Sequence, residues 1–135
     1  MNDTVTITSA KNGSRFTLSN VTDDSFTATI DGPSFSGSLI IPSYFSGFPH
    51  KFFEELAAEW RGWNGAKQWS SLEGELHLQA KSDKLGHVCL TVSLGIINGR
   101  DDWKLQTDLM IESGQLESLA KSLNGLFSEL KFQTD

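Results

Sequence analysis

The sequence predicts an α+β fold, a two-layer arrangement in which one seven-stranded antiparallel sheet carries two helices on one face, ordered ββββ-α-βββ-α. Three observations predict it. Apolar residues repeat with period two in seven segments, the mark of a strand with one wet face. Three tight turns separate pairs of these segments, and each implied pairing puts both apolar sets on the same face. Two further segments carry their apolar residues at helical spacing.

Val5 and Ile7 alternate, as do Phe16 and Leu18, with Lys11-Asn12-Gly13-Ser14 between them. Asn-Gly suits a two-residue hairpin turn, whose central positions need positive φ. Pairing Lys11 with Ser14 sets Ile7 opposite Leu18 and Ser9 opposite Phe16. A slip of one residue would split the two apolar sets between faces. The next pair repeats the pattern: Phe26, Ala28 and Ile30, then Gly32-Pro33, then Phe35, Gly37, Leu39 and Ile41. Pairing Asp31 with Ser34 sets Ile30 opposite Phe35 and Ala28 opposite Gly37. The third turn is Asn98-Gly99, after Val88, Leu90, Val92 and Leu94 and before Trp103, Leu105, Leu109 and Ile111. Pairing Ile97 with Arg100 sets Leu94 against Trp103, Val92 against Leu105 and Val88 against Leu109. The seventh strand precedes this hairpin, with Leu72, Gly74, Leu76, Leu78 and Ala80 alternating against Glu73, Glu75, His77, Gln79 and Lys81. Ser82-Asp83-Lys84-Leu85-Gly86 is its turn cluster.

The first helix carries Pro49 in its first turn and an apolar stripe of Phe52, Phe53, Leu56, Ala57 and Trp60, with Gly62 as the stop. The second carries Leu116, Leu119, Ala120, Leu123, Leu126, Phe127 and Leu130, with Ser113 as N-cap and Glu117 near its positive end. Gly125 interrupts this helix, so packing has to hold that turn.

A chain of 135 residues, 38% hydrophobic and 21% charged, is expected to form one domain over residues 1–135. No segment has the apolar length of a membrane span. Met1-Asn2-Asp3-Thr4 lacks the basic start and apolar run of a signal peptide, which points to the cytoplasm. The single cysteine, Cys89, excludes an internal disulfide and a cysteine-cluster metal site. Seventeen acidic against eleven basic residues give a net charge of −6 and no basic patch, which disfavours nucleic acid. An acidic surface suits a basic protein partner better.

Catalytic constellations are weak. Glu73 and Glu75 would share a polar strand face, but a flat wet face does not desolvate a carboxylate enough to make it a general acid. His77, Cys89 and Asp108 would lie on neighbouring strands, without the short ligand spacing of a zinc site. His87 reads as a strand-end residue and Cys89 as a mid-strand thiol, away from any helix N-terminus that would activate it. There is no nucleophile elbow, P-loop or dinucleotide fingerprint. The chain is therefore expected to be no enzyme, with no cofactor and no metal.

The run Trp60-Arg61-Gly62-Trp63-Asn64-Gly65-Ala66-Lys67-Gln68-Trp69 is different, because it places three of the four tryptophans at the helix-to-strand junction. Indoles and arginine anchor protein interfaces and stack on sugars or bases; they also plug sheet ends. Trp60 is expected to be such a plug, and Trp63 is open between the two roles.

The stretch from Trp60 to Ala80, W-R-G-W-N-G-A-K-Q-W-S-S-L-E-G-E-L-H-L-Q-A, resembles the signature of a bacterial family of unknown function, W-x-G-W-x-G-x-K-x-W-x-S-L-E-G. The likeness extends from about Phe52 through Gly86-His87-Val88 and Trp103 to Gly114-Gln115-Leu116-Glu117. More loosely, the order of Ser-Leu-Glu-Gly strand, Gly-His-Val strand and terminal helix resembles the WapI-type immunity proteins, small cytoplasmic antidotes to a polymorphic toxin. That group lacks the tryptophan-rich junction, and a shared fold does not transfer function.

The expected function is thus that of a non-catalytic binding protein, immunity-like, neutralising a bacterial toxin by protein–protein contact. Its contact surface would combine Glu73, Glu75, His77, Lys104 and Asp108 with the loop holding Arg61, Trp63 and Trp69. The alternative is a small-ligand or carbohydrate-binding module that stacks on Arg61, Trp63 and Trp69.

Overall fold

A computed structural model describes residues 4–43, 47–83, 85–96 and 99–128. The elements run β1 (Val5–Thr8), β2 (Arg15–Ser19), β3 (Ser25–Asp31), β4 (Ser36–Pro42), α1 (His50–Ala58), β5 (Ala66–Ser70), β6 (Leu76–Ser82), β7 (His87–Ile96), β8 (Trp103–Glu112), a 3₁₀ turn over Ser113–Gln115, and α2 (Leu116–Ser128). They form two four-stranded antiparallel sheets, β1-β2-β3-β4 and β5-β6-β7-β8.

The expected single seven-stranded sheet is therefore wrong on two counts. The order is ββββ-α-ββββ-α, and α1 separates two sheets that share no ladder. The missing strand is β5, inside the tryptophan-rich run. Its inward positions are Lys67 and Trp69, and a lysine at an inner position conceals the period-two pattern. The segment from Leu72 to Glu75, expected to open a strand, is instead the β5–β6 turn. Ser71 N–H donates to the Leu76 carbonyl at 2.9 Å, Gly74 takes φ +79°, and Leu72 is 62% exposed.

All three hairpin registers differ from expectation by two residues, and none changes face. Ile7 pairs with Phe16 and Val5 with Leu18. Ile30 pairs with Gly37 and Ala28 with Leu39. Leu94 pairs with Leu105 and Val88 with Ile111. In the first hairpin the turn is wider than Asn-Gly alone: Ser9 N–H donates to the Ser14 carbonyl at 2.8 Å, and the Asn12 side-chain oxygen accepts from Ser14 N–H at 2.9 Å. In the second, Gly32 N–H donates to the Phe35 carbonyl at 2.9 Å, which moves the turn centre onto Pro33-Ser34. Ile97 and Asn98 of the third turn lie outside the described residues, as do Lys84 and Leu130.

The inner faces of both sheets meet in one core that includes Phe16, Phe26, Ile30, Leu78, Leu90 and Leu94 with Phe53, Leu56, Leu123 and Phe127 of the helices. Each helix touches the sheet of the other half. Phe127 of α2 stands edge-on to Phe26 of β3, with centroids 5.6 Å apart, and Glu59 just beyond α1 reaches Lys67 of β5 at 2.6 Å. Gly37 of β4 lies directly under Leu105 and Trp103 of β8, so the sheets pack where a side chain is missing. Ala10 N–H donates to the Met110 carbonyl at 2.9 Å and Met110 N–H to the Ser9 hydroxyl at 3.0 Å, which ties the first hairpin to the edge of β8.

The first helix ends two residues before Trp60. Glu59 leaves the helical region at φ −112°, ψ 39°, and Trp60 is 54% exposed rather than a plug. The N-cap position before the second helical segment is Glu112, not Ser113. The Glu112 carboxylate accepts from the Gln115 backbone while Gln115 accepts from Glu112 N–H at 3.2 Å, a reciprocal capping pair. No described helix is long and apolar enough to cross a membrane.

Candidate functional site

The tryptophan-rich junction is a brace between α1 and the second sheet. Gly62, at φ +116°, turns the chain after α1, and its N–H donates to the Glu59 carbonyl at 2.8 Å. Trp63 is half-buried and its indole N–H donates to the Ala80 carbonyl at 3.2 Å. Lys67 Nζ lies 2.6 Å from Glu59 and 5.8 Å from the centroid of the Trp63 ring. The hydrogen bond to Glu59 holds the lysine ammonium above its usual range, opposed by partial burial. Trp69 faces inward, opposite Leu78, and packs against the core. Arg61 points to solvent with its guanidinium 5.1 Å from the centroid of Trp60. Arg61, Trp63 and Trp69 therefore do not share one stacking surface; the solvent-facing cation–aromatic pair is Trp60–Arg61.

The outer face of the second sheet is set by register. One row across β6, β7 and β8 is His77, Ser93 and Gln106; the next is Gln79, Thr91 and Asp108. Ser93 donates to Gln106 at 2.9 Å and Thr91 to Asp108 at 2.7 Å. Lys104 lies one row beyond, opposite Gly95. His77, Lys104 and Asp108 thus share this face, as expected. Glu75 stands at its end, where its carboxylate accepts the Ser71 hydroxyl at 2.8 Å, and Glu73 is on the exposed turn. The two glutamates are therefore not a pair projecting from one strand. The seven residues of β6, about 20 Å of strand, separate this end from the groove beside Arg61 and Trp63.

That far end carries a cluster the sequence did not reveal. Asp83 accepts from Leu85 N–H at 2.8 Å and His87 N–H at 3.0 Å, and its other oxygen faces His87 Nδ1 at 3.0 Å. The two backbone N–H bonds, that of His87 first, hold the Asp83 carboxyl below its ordinary range. His87 Nε2 lies 3.4 Å from Glu112. The only sequence signal was the short Asp83–His87 interval; Glu112 arrives through the β7–β8 ladder, where it is the direct partner of His87. Two shallow grooves of about 330 and 150 Å³ meet here and share Ser82 and Asp83.

Chemically, this cluster is poorly suited to nucleophilic catalysis. Both His87 nitrogens face carboxylates, so neither is turned to Cys89, and burial pushes the Cys89 thiol up, away from the reactive thiolate. Lys81 and Met110, not His77, are the lateral neighbours of Cys89. Among the described residues no group of three His, Cys, Asp or Glu has the geometry to hold a metal ion.

Residues 7–129 match the model of a family of unknown function, DUF6228. The chain belongs to that family. Neither a curated protein nor a solved structure matches it. The match begins in β1 and ends one residue beyond α2, so it takes in the first sheet as well as the tryptophan-rich junction of this DUF6228 chain.

Proposed function

We propose that this protein is a non-catalytic binding protein of the immunity type, which neutralises a bacterial toxin by covering a functional surface of it. The observation that carries this reading is the polar outer face of β6, β7 and β8, partly exposed to solvent with Ser93 buried within it. It holds His77, Gln79, Thr91, Ser93, Gln106 and Asp108, while both helices are used up on the inner side. Such a face offers many directional hydrogen bonds on a rigid frame, which favours specific recognition of one partner. The excess of 17 acidic over 11 basic residues supports a basic partner, whose approach it would accelerate. The loose resemblance to WapI-type immunity proteins points the same way.

The test is co-expression with secreted effectors encoded beside the gene. Protection of the host, with a complex that co-elutes, is the expected result, and Asp108→Lys should abolish both in a chain that still folds. If no neighbouring effector is toxic, or none is neutralised, the immunity reading falls.

A second reading, a small-ligand or carbohydrate module, is favoured only by the groove of about 330 Å³ beside Arg61, Trp63 and Asn64, within the usual size of ligand sites. Tryptophan fluorescence titrated against a panel of metabolites and glycans tests it, and a panel without response removes it.

A further inference from the structure

β1 is the edge strand of the first sheet, and no described strand pairs with its outer side. The Ser9 N–H to Ser14 carbonyl bond identifies Ser9–Ser14 as a hydrogen-bonded pair. In an antiparallel ladder such pairs alternate, so Ile7–Phe16 and Val5–Leu18 are bonded while Thr6 and Thr8 turn their N–H and C=O groups away from β2. The same outward direction is used by Ala10, whose N–H finds the Met110 carbonyl of β8 at 2.9 Å. β8 ends two residues past Met110 and gives way to the 3₁₀ turn and α2, and among the described residues Thr6 and Thr8 have no backbone partner there like the one Ala10 has.

The divergence opens a groove of about 370 Å³ between β1 and α2. Thr6 and Thr8 form one wall, Ile111 contributes to its base, and Gly114, Ser118 and Ser122 form the other wall. These helix residues are small and exposed, so the space beside the strand edge stays open. Among the described residues, no charged side chain lines it. Val5-Thr6-Ile7-Thr8 also lacks the lysine, proline or bulge that usually blocks an edge.

From this geometry we infer that the β1–α2 groove is a docking site for an extended, uncharged segment of a partner protein, which adds to the first sheet as a further strand. Alternating donors and acceptors along an extended edge are complemented by another extended backbone. The absence of charge in the walls selects a segment without charged residues, since a charge taken into the groove would lose water and gain no partner. This deepens the protein-binding reading by naming a mode of contact, and it rests on that reading only in taking a protein as the partner. The groove belongs to the first sheet, whereas the face proposed for toxin contact belongs to the second.

The test presents the full chain to a phage-displayed library of random short peptides and then measures the enriched peptides by calorimetry. Uncharged, β-branched sequences are expected. N-methylation of alternate peptide amides should weaken binding at least about tenfold, the scale of one lost interfacial hydrogen bond, and N-methylation of the intervening amides should leave it nearly unchanged. Thr6→Pro removes the outward N–H without touching the β2 ladder, and Ser118→Trp fills the groove from an exposed helix position; each should weaken binding by a similar factor. A library that enriches nothing overturns the inference. So does peptide that binds Ser118→Trp as tightly as the unaltered chain. Dimerisation of the free chain that Thr6→Pro abolishes would also overturn it, by assigning the edge to a second copy. Peptide binding in a chain that protects against no toxin removes the immunity reading alone, and protection by a chain against which the library enriches nothing removes this one alone.

Discussion

The Asp83 carboxylate accepts from two backbone N–H groups and faces the His87 ring, and all three contacts favour its ionised form. A carboxyl whose folded pKa is depressed contributes stability that is complete above its ordinary pKa, about 3.9, and is lost as pH falls through the lower folded value. Urea midpoints measured from neutral pH downward should therefore fall more steeply below about pH 4 in the unaltered chain than in Asp83→Asn, whose amide oxygen still caps the turn but does not titrate. Equal slopes would mean the turn draws nothing from the charge. Single residues also explain the limits of legibility at the site. His77, Lys104 and Asp108 were placed on one wet face by parity alone, whereas the approach of Glu112 to His87 depends on a ladder register that alternation does not set.

The elements differ in how well their own residues specify them. The apolar stripe of α2 is read directly, yet Gly125 sits in it with open space around its Cβ position. Gly125→Ala should raise stability by about 0.5–1 kcal/mol, measured as a higher urea midpoint at unchanged m-value. The junction after α1 behaves in the opposite sense. Gly62 has φ +116°, and a Cβ there would stand 3.0 Å from the Ser82 hydroxyl. Gly62→Ala should lower stability by more than about 1 kcal/mol, and a thermal melt no lower than that of the unaltered chain would show the junction to be more pliant than its geometry implies. β5 went unrecognised because its evidence is tertiary: Lys67 belongs to the inner face only because Glu59 and the Trp63 ring are there to receive its ammonium.

The two halves, each four strands and a helix, are held together by exchange. α2 inserts Phe127 against Phe26 of the first sheet, and the end of α1 is tied to β5 of the second. Isolated halves would expose these surfaces, so unfolding should be one cooperative transition. The contact of Gly37 with Leu105 gives a direct test of sheet-on-sheet packing. Gly37→Ala should cost about 1–3 kcal/mol by overpacking, and Leu105→Ala in the same chain should recover part of that loss. Additive effects in the double-mutant cycle would mean the sheets do not meet there.

Local patterning fixed the antiparallel pairing, the parity of the hairpins, the two helices and the sidedness of every strand it recognised. It did so because period two and period 3.6 are properties of the chain next to itself. Register slipped by two residues at each turn because a shift of two leaves parity unchanged, and the turns were decided by particular hydrogen bonds such as Ser9 to Ser14 and Gly32 to Phe35. The division into two sheets, the exchanged helices and the groove beside β1 arise from contacts between residues far apart in sequence. No local pattern encodes which of two sheets a strand joins; that follows from which arrangement buries both inner faces and both helices in one core.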